Sequence, residues 1–137
     1  MKTPIILLIL RIVIAILLAQ TLFFKFTGAA ESIELFSQLS NAVKGDASLE
    51  PMMRIGSGVV ELITVILLLM KKPVAISVGA FMATATMMGA MMAHLTVIGI
   101  NFGGDATLFI LAVVAFLSSL AVLFRYRGSL PVLGKFT

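Results

Sequence analysis

Apolar residues gather in four long runs separated by short polar stretches. The runs extend from about Pro4 to Phe24, from Ile55 to Met70, from Val74 to Ile100 and from Ala106 to Phe124. At ~1.5 Å per helical residue such runs cross ~30 Å of hydrocarbon, the second with its ends close to the interfaces and marked by Arg54 and Lys71. The turn Lys71-Lys72-Pro73 makes the second and third spans antiparallel neighbours. Between the first two spans lies AAESIELFSQLSNAV, where Leu35, Phe36, Leu39 and Val43 recur at helical spacing and Glu31, Glu34, Gln38 and Asn41 fall largely on other faces. This predicts an amphipathic helix over about 29–43, lying in the outer interface or capping the bundle. GDASLEP then reads as the turn back into the membrane. The pattern predicts an all-α protein: an integral membrane four-helix bundle, one domain over 1–137, with an interfacial helix between spans one and two.

Composition agrees. Hydrophobic residues make up 61% and charged residues 12%, against about 25% charged in a soluble domain. The chain has no cysteine, which excludes disulfides, thiolate nucleophiles, Cys-ligated zinc and iron–sulfur clusters. A cleaved signal peptide is the competing reading of the first run. Arg11 inside it, and the lack of a small-residue cleavage site, point instead to a retained span.

Charge orients the chain. Lys2, Lys71, Lys72, Arg125, Arg127 and Lys135 would share one side, against Lys25, Lys44 and Arg54 on the other. The positive-inside rule then puts both termini in the cytoplasm. Basic residues spread over loop flanks form no nucleic-acid patch, so the partners are membrane lipid and other membrane proteins, not nucleic acid.

Glu61 stands inside GVVELITVILLL, where an acidic residue costs about 2.5–3.5 kcal/mol at a membrane centre. It is six residues past Ile55, and His94 is six before Ile100; both therefore lie about 9 Å below the outer boundary. Gln20 and Lys25 occupy a similar zone of span one, and Asn101 falls seven residues after His94 on nearly the same helical face. These residues form one candidate polar layer. Each also has a plainer reading: Glu61 as a buried acid, neutral or paired with Lys25; His94 bonded to a backbone carbonyl; Gln20 and Asn101 as interfacial packing; Lys25 snorkelling outward. Arg11 sits nearer the cytoplasmic end and shares a face with Leu18 and Lys25, so it can hold backbone carbonyls or an anionic ligand. Ala85, Gly89 and Ala93 form a small-residue stripe that would admit a neighbouring or partner helix, hence a redox partner protein or a homo-oligomer. The flanking methionines Met82, Met87, Met88, Met91 and Met92 read as adaptable packing.

Three strings, FFKFTGAAESIELF at 23–36, GSGVVELITVILLL at 56–69 and MMGAMMAHLTVIGI at 87–100, together resemble the DoxX family of small four-helix membrane proteins. Phe23, Phe24, Lys25 and Gly28 match its aromatic end of the first helix. Gly56, Gly58 and Glu61 match its glycine-rich second helix, and Gly89, Ala90 and His94 its third, over roughly residues 7–125. The resemblance implies a bundle in a bacterial inner membrane. It also implies a family whose name comes from a subunit associated with thiosulfate:quinone oxidation, other members being tied to oxidant defence or membrane-protein assembly.

A quinone- or lipid-binding accessory subunit of a membrane redox complex is the leading expectation, with His94 and Glu61 giving hydrogen bonds and a proton route. No metal, flavin or nucleotide motif is present, so an autonomous enzyme is not expected and electrons would come from a partner. The alternatives are a small proton-coupled transporter, or a structural or assembly protein whose polar layer only sets helix specificity.

Overall fold

The computed structural model describes residues 4–136. Its α-helices are α1 (Ile5–Thr27), α2 (Ala30–Lys44), α3 (Glu50–Leu69), α4 (Pro73–Ala93) and α5 (Thr107–Tyr126). α4 continues into one π-helical turn, His94–Ile98. Among the described residues there is no strand, only an isolated bridge between Phe102 and Asp105 that closes the α4–α5 loop. Four of the helices are long and apolar enough to cross a membrane, so this is a multi-pass membrane protein.

Helix α3 begins at Glu50 rather than Ile55, taking up part of the expected turn. Pro51 sits in its first turn, where a missing N–H costs nothing, and Glu50 accepts from Arg54 Nε at 2.6 Å one turn on. Helix α1 also runs further than expected, to Thr27, and ends on Gly28 at φ 69°. Lys2 lies outside the described residues.

The spanning helices pack in the ring order α1–α3–α4–α5, so every neighbour is antiparallel, and α2 lies against α3 and the π turn. Ile14 and Leu18 of α1, Leu68 of α3 and Val122 of α5 are at most 2% exposed and centre the core. Small residues set the closest approaches. Ala80 and Ala83 of α4 share the core with Ala112 and Ala115 of α5. A Cβ on Gly79 would lie 3.0 Å from Leu67 Cβ and 3.0 Å from Leu68 N, so α3 and α4 meet nearly backbone to backbone. The expected stripe is not this contact surface: Ala85 and Gly89 are exposed, because Ile76, Ala80, Ala83 and Met87 turn the other face of α4 inward. Outward faces are apolar, with Ile16 60% and Leu117 58% exposed, as lipid-facing surfaces require.

Two arginines lock α1 to α3 at opposite ends. Arg11 is buried and donates through Nε to the Leu68 carbonyl at 2.8 Å and through Nη2 to the Met70 carbonyl at 2.7 Å. It thereby satisfies and electrically caps the C-terminus of α3, whose last turn has no cation of its own. Arg54 of α3, held by Glu50, donates through Nη1 to the Lys25 carbonyl in the last turn of α1.

Charge is segregated along the bundle. All six acidic residues (Glu31, Glu34, Asp46, Glu50, Glu61 and Asp105) lie in the half that carries α2 and the α4–α5 loop. Only Lys25, Lys44 and Arg54 of the basic residues accompany them. Arg11, Lys71, Lys72, Arg125, Arg127 and Lys135 lie in the other half.

Candidate functional site

Leu18, Thr21 and Lys25 recur at helical spacing along the inward face of α1, and Glu61 of α3 meets them. Lys25 Nζ lies 2.5 Å from Glu61 Oε1, with the two side chains 13% and 5% exposed. Thr21 Oγ1 is 3.0 Å from Glu61 Oε2 and also 2.8 Å from the Leu18 carbonyl. Its single proton serves one acceptor at a time. The ammonium further sits 5.4 Å from the centre of the Phe36 ring, which ties α2 to the ion pair.

His94 opens the π turn and is 5% exposed. Its Nδ1 is 2.9 Å from the Gly99 carbonyl, and the Gly99 N–H donates back to the His94 carbonyl at 2.8 Å. The Phe109 ring packs edge-on against the imidazole, centroids 5.8 Å apart. His94 Nε2 has no hydrogen-bond partner among the described residues. Since no fully buried polar side-chain atom is left unpartnered, Nε2 is not fully enclosed, and His94 lines the space beside it.

That space is one cavity of about 700 Å³ in the α2 half of the bundle. Helices α1, α3, α4 and α5 wall it and α2 covers it; Leu17, Leu35, Phe36, Leu108 and Leu111 supply much of its apolar surface. Its volume is that of a small-molecule site, and its polar groups are few. Lys25, Glu61, His94 and Gln20 all line it, so four of the six candidate residues meet at one chamber.

The other two lie apart. Asn101 is exposed and does not line the cavity, because the helix stops at Ile98 and Gly99, at φ 90°, turns the chain away from the face that a continuous helix would have shared. Arg11 is at the opposite end, its guanidinium engaged by carbonyls rather than presented to a ligand. Three contributors escaped the sequence reading. Thr21 was findable, standing between Leu18 and Lys25 on one helical face. Gly99 and Phe109 carried no signal, since their roles depend on a π turn and on the rotation of α5.

Chemically, the chamber offers a compensated ion pair, the Glu31 carboxylate, the Gln20 amide, the hydroxyls of Thr21, Ser32, Ser57, Thr86 and Thr107 and the His94 imidazole within walls that are mostly apolar. No family model, no curated protein and no solved structure compared with this chain matches it.

Proposed function

We propose that this protein is a DoxX-like accessory subunit of a membrane redox complex that binds a quinone or a comparable lipid in the cavity beneath α2. The observation that carries the reading is the convergence of the Lys25–Glu61 pair and the open His94 Nε2 on one largely apolar chamber. A ring with polar oxygens and an apolar tail matches that division of surface: polar groups orient the head, and leucine and phenylalanine walls take the body. A bound quinone would supply the redox chemistry. The chain's own residues would bind it, orient it and hold protons at Glu61 and His94.

On this reading α2 rests in the outer interface, its exposed side bearing Glu34 and its cavity side Glu31, Leu35, Phe36 and Leu39. The gathering of Lys71, Lys72, Arg125, Arg127 and Lys135 at the opposite end supports an orientation with both termini cytoplasmic, in the bacterial inner membrane that the DoxX resemblance implies. The exposed face of α4 around Ala85 is available to a redox partner protein or to a second copy of the chain, while Gly89 lines the cavity.

The test is mass spectrometry of small molecules that co-purify with the wild type and with Glu61→Gln. A quinone or lipid kept by the wild type and lost from the variant supports the reading. Equal retention, or nothing bound by either, assigns the ion pair to architecture alone.

A further inference from the structure

We infer that His94 makes the cavity selective for the hydroxyl form of its ligand, accepting a hydrogen bond from a quinol-type phenol and disfavouring the corresponding carbonyl. The inference rests on the cavity being a quinone or lipid site and names the form that it binds.

The tautomer follows from the backbone. The Gly99 carbonyl can only accept, so the proton of a neutral imidazole is on Nδ1, 2.9 Å away. Turning the ring over would set a carbon against that oxygen and lose the bond. Gly99 is fixed in turn, since its own N–H binds the His94 carbonyl and its φ of 90° with ψ of 158° is a conformation reserved for glycine. The π turn places these two residues in register, a common use of such turns at functional sites. Phe109 packs against the ring edge and restricts its rotation.

With Nδ1 committed, Nε2 carries a lone pair and is not fully enclosed, so on this reading it presents that lone pair to the cavity that His94 lines. A quinone carbonyl brought to it would place two acceptors together, whereas a phenolic O–H completes a hydrogen bond. The other titratable groups on the cavity wall do not supply Nε2 with a proton donor among the described contacts. Lys25 and Glu61 are joined to each other, and Glu31 belongs to the covering helix α2. Selectivity for the reduced ring therefore resides in a backbone-enforced tautomer rather than in a charged side chain.

The experiment uses the full chain in lipid nanodiscs under anaerobic conditions, with three probes of nearly equal shape: a short-tailed benzoquinol, its dimethyl ether and its quinone. The wild type should bind the quinol about tenfold more tightly than either of the others, the worth of one hydrogen bond made against an otherwise unpaired acceptor. In His94→Phe the three affinities should converge within about twofold. Equal binding of all three by the wild type, or a preference for the quinone, overturns the selectivity and leaves the ligand class standing. Binding of none overturns the selectivity together with the quinone reading of the cavity.

A second readout needs no variant. His94 is the only histidine in the chain, so ¹⁵N-histidine labelling gives a spectrum of one residue. It should show Nδ1 protonated and Nε2 bare, with the Nε2 resonance moving on addition of quinol and not of quinone. An Nε2-protonated ring overturns the inference.

Discussion

Replacing Lys25 by methionine keeps an unbranched apolar stem and removes the charge. Glu61 is then left at 5% side-chain exposure with one neutral donor, the Thr21 hydroxyl at 3.0 Å, which the Leu18 carbonyl also attracts at 2.8 Å. Stripping one partner from a buried ion pair costs about 3–5 kcal/mol. Lys25→Met should therefore destabilise the bundle by about 3–5 kcal/mol.

Glu61→Met should cost less. Lys25 is in the last turn of α1 and its ammonium can extend toward the nearby boundary, whereas Glu61 is a short side chain in the body of α3. The double variant removes both charges and should lie within about 1 kcal/mol of the wild type, as when a buried pair is replaced by apolar side chains. Loss of helicity during SDS titration of the four proteins gives the cycle and its coupling energy. A penalty below about 1 kcal/mol, or a coupling energy near zero, would mean that Lys25 snorkels outward and that the pair does not hold the helices.

Other perturbations separate architecture from site. Arg11→Met forfeits two charge-assisted bonds to the end of α3 and should cost about 3 kcal/mol in the same titration, while the small molecules retained by folded protein stay unchanged. Gly79→Ala should cost about 1–3 kcal/mol, since its Cβ would press on Leu67 and on the α3 backbone. Gly89→Ala, with nothing within 4 Å of the new atom, should be neutral or stabilise by up to about 1 kcal/mol. At the start of α5, the backbone N–H of Thr107, and then its side chain, bond to Asp105 and lower its pKa. A lowered folded pKa stabilises above the ordinary aspartate range, and the contribution is lost as pH falls through the lowered value. Protection factors of the amides in the first turn of α5, taken relative to intrinsic exchange at each pH, should therefore fall on acidification, and Asp105→Asn should remove that fall.

The spans were legible because hydrocarbon thickness leaves few solutions for runs of this length, and α2 because its period is helical. The placement of Gln20, Lys25, Glu61 and His94 at one chamber was approachable by counting depth from the span ends. Rotation about each helix axis was not. Ala85, Gly89 and Ala93 look like a packing stripe by spacing, yet α4 turns Ile76, Ala80 and Ala83 inward, since larger buried area and the Ala112–Ala115 face of α5 decide the rotation. In α2 the same limit shows at Val43, which belongs to the apolar pattern and is 72% exposed beyond the edge of the bundle. Asn101 was misplaced because a face can be extrapolated only while the helix continues, and Gly99 ends it.

Charged and ionisable residues inside a membrane divide here by whether their hydrogen-bonding capacity is already committed. Arg11 directs its donors at carbonyls that would otherwise be orphaned at the end of α3, and Arg54 is held between Glu50 and the Lys25 carbonyl. Neither lines the cavity, and both explain why α1 and α3 stay in register. Glu61 is intermediate: Lys25 compensates its charge, so its burial alone is explained by architecture. His94 differs in kind, because one ring nitrogen suffices to anchor it on Gly99 and the other, in a side chain that lines an apolar chamber, has no partner among the described residues. An imidazole needed only for packing could be replaced by a hydrocarbon of similar size without leaving an acceptor unused. The glutamate therefore marks where the helices are fastened, and the histidine brings this unpartnered ring nitrogen to the lining of the fastened chamber.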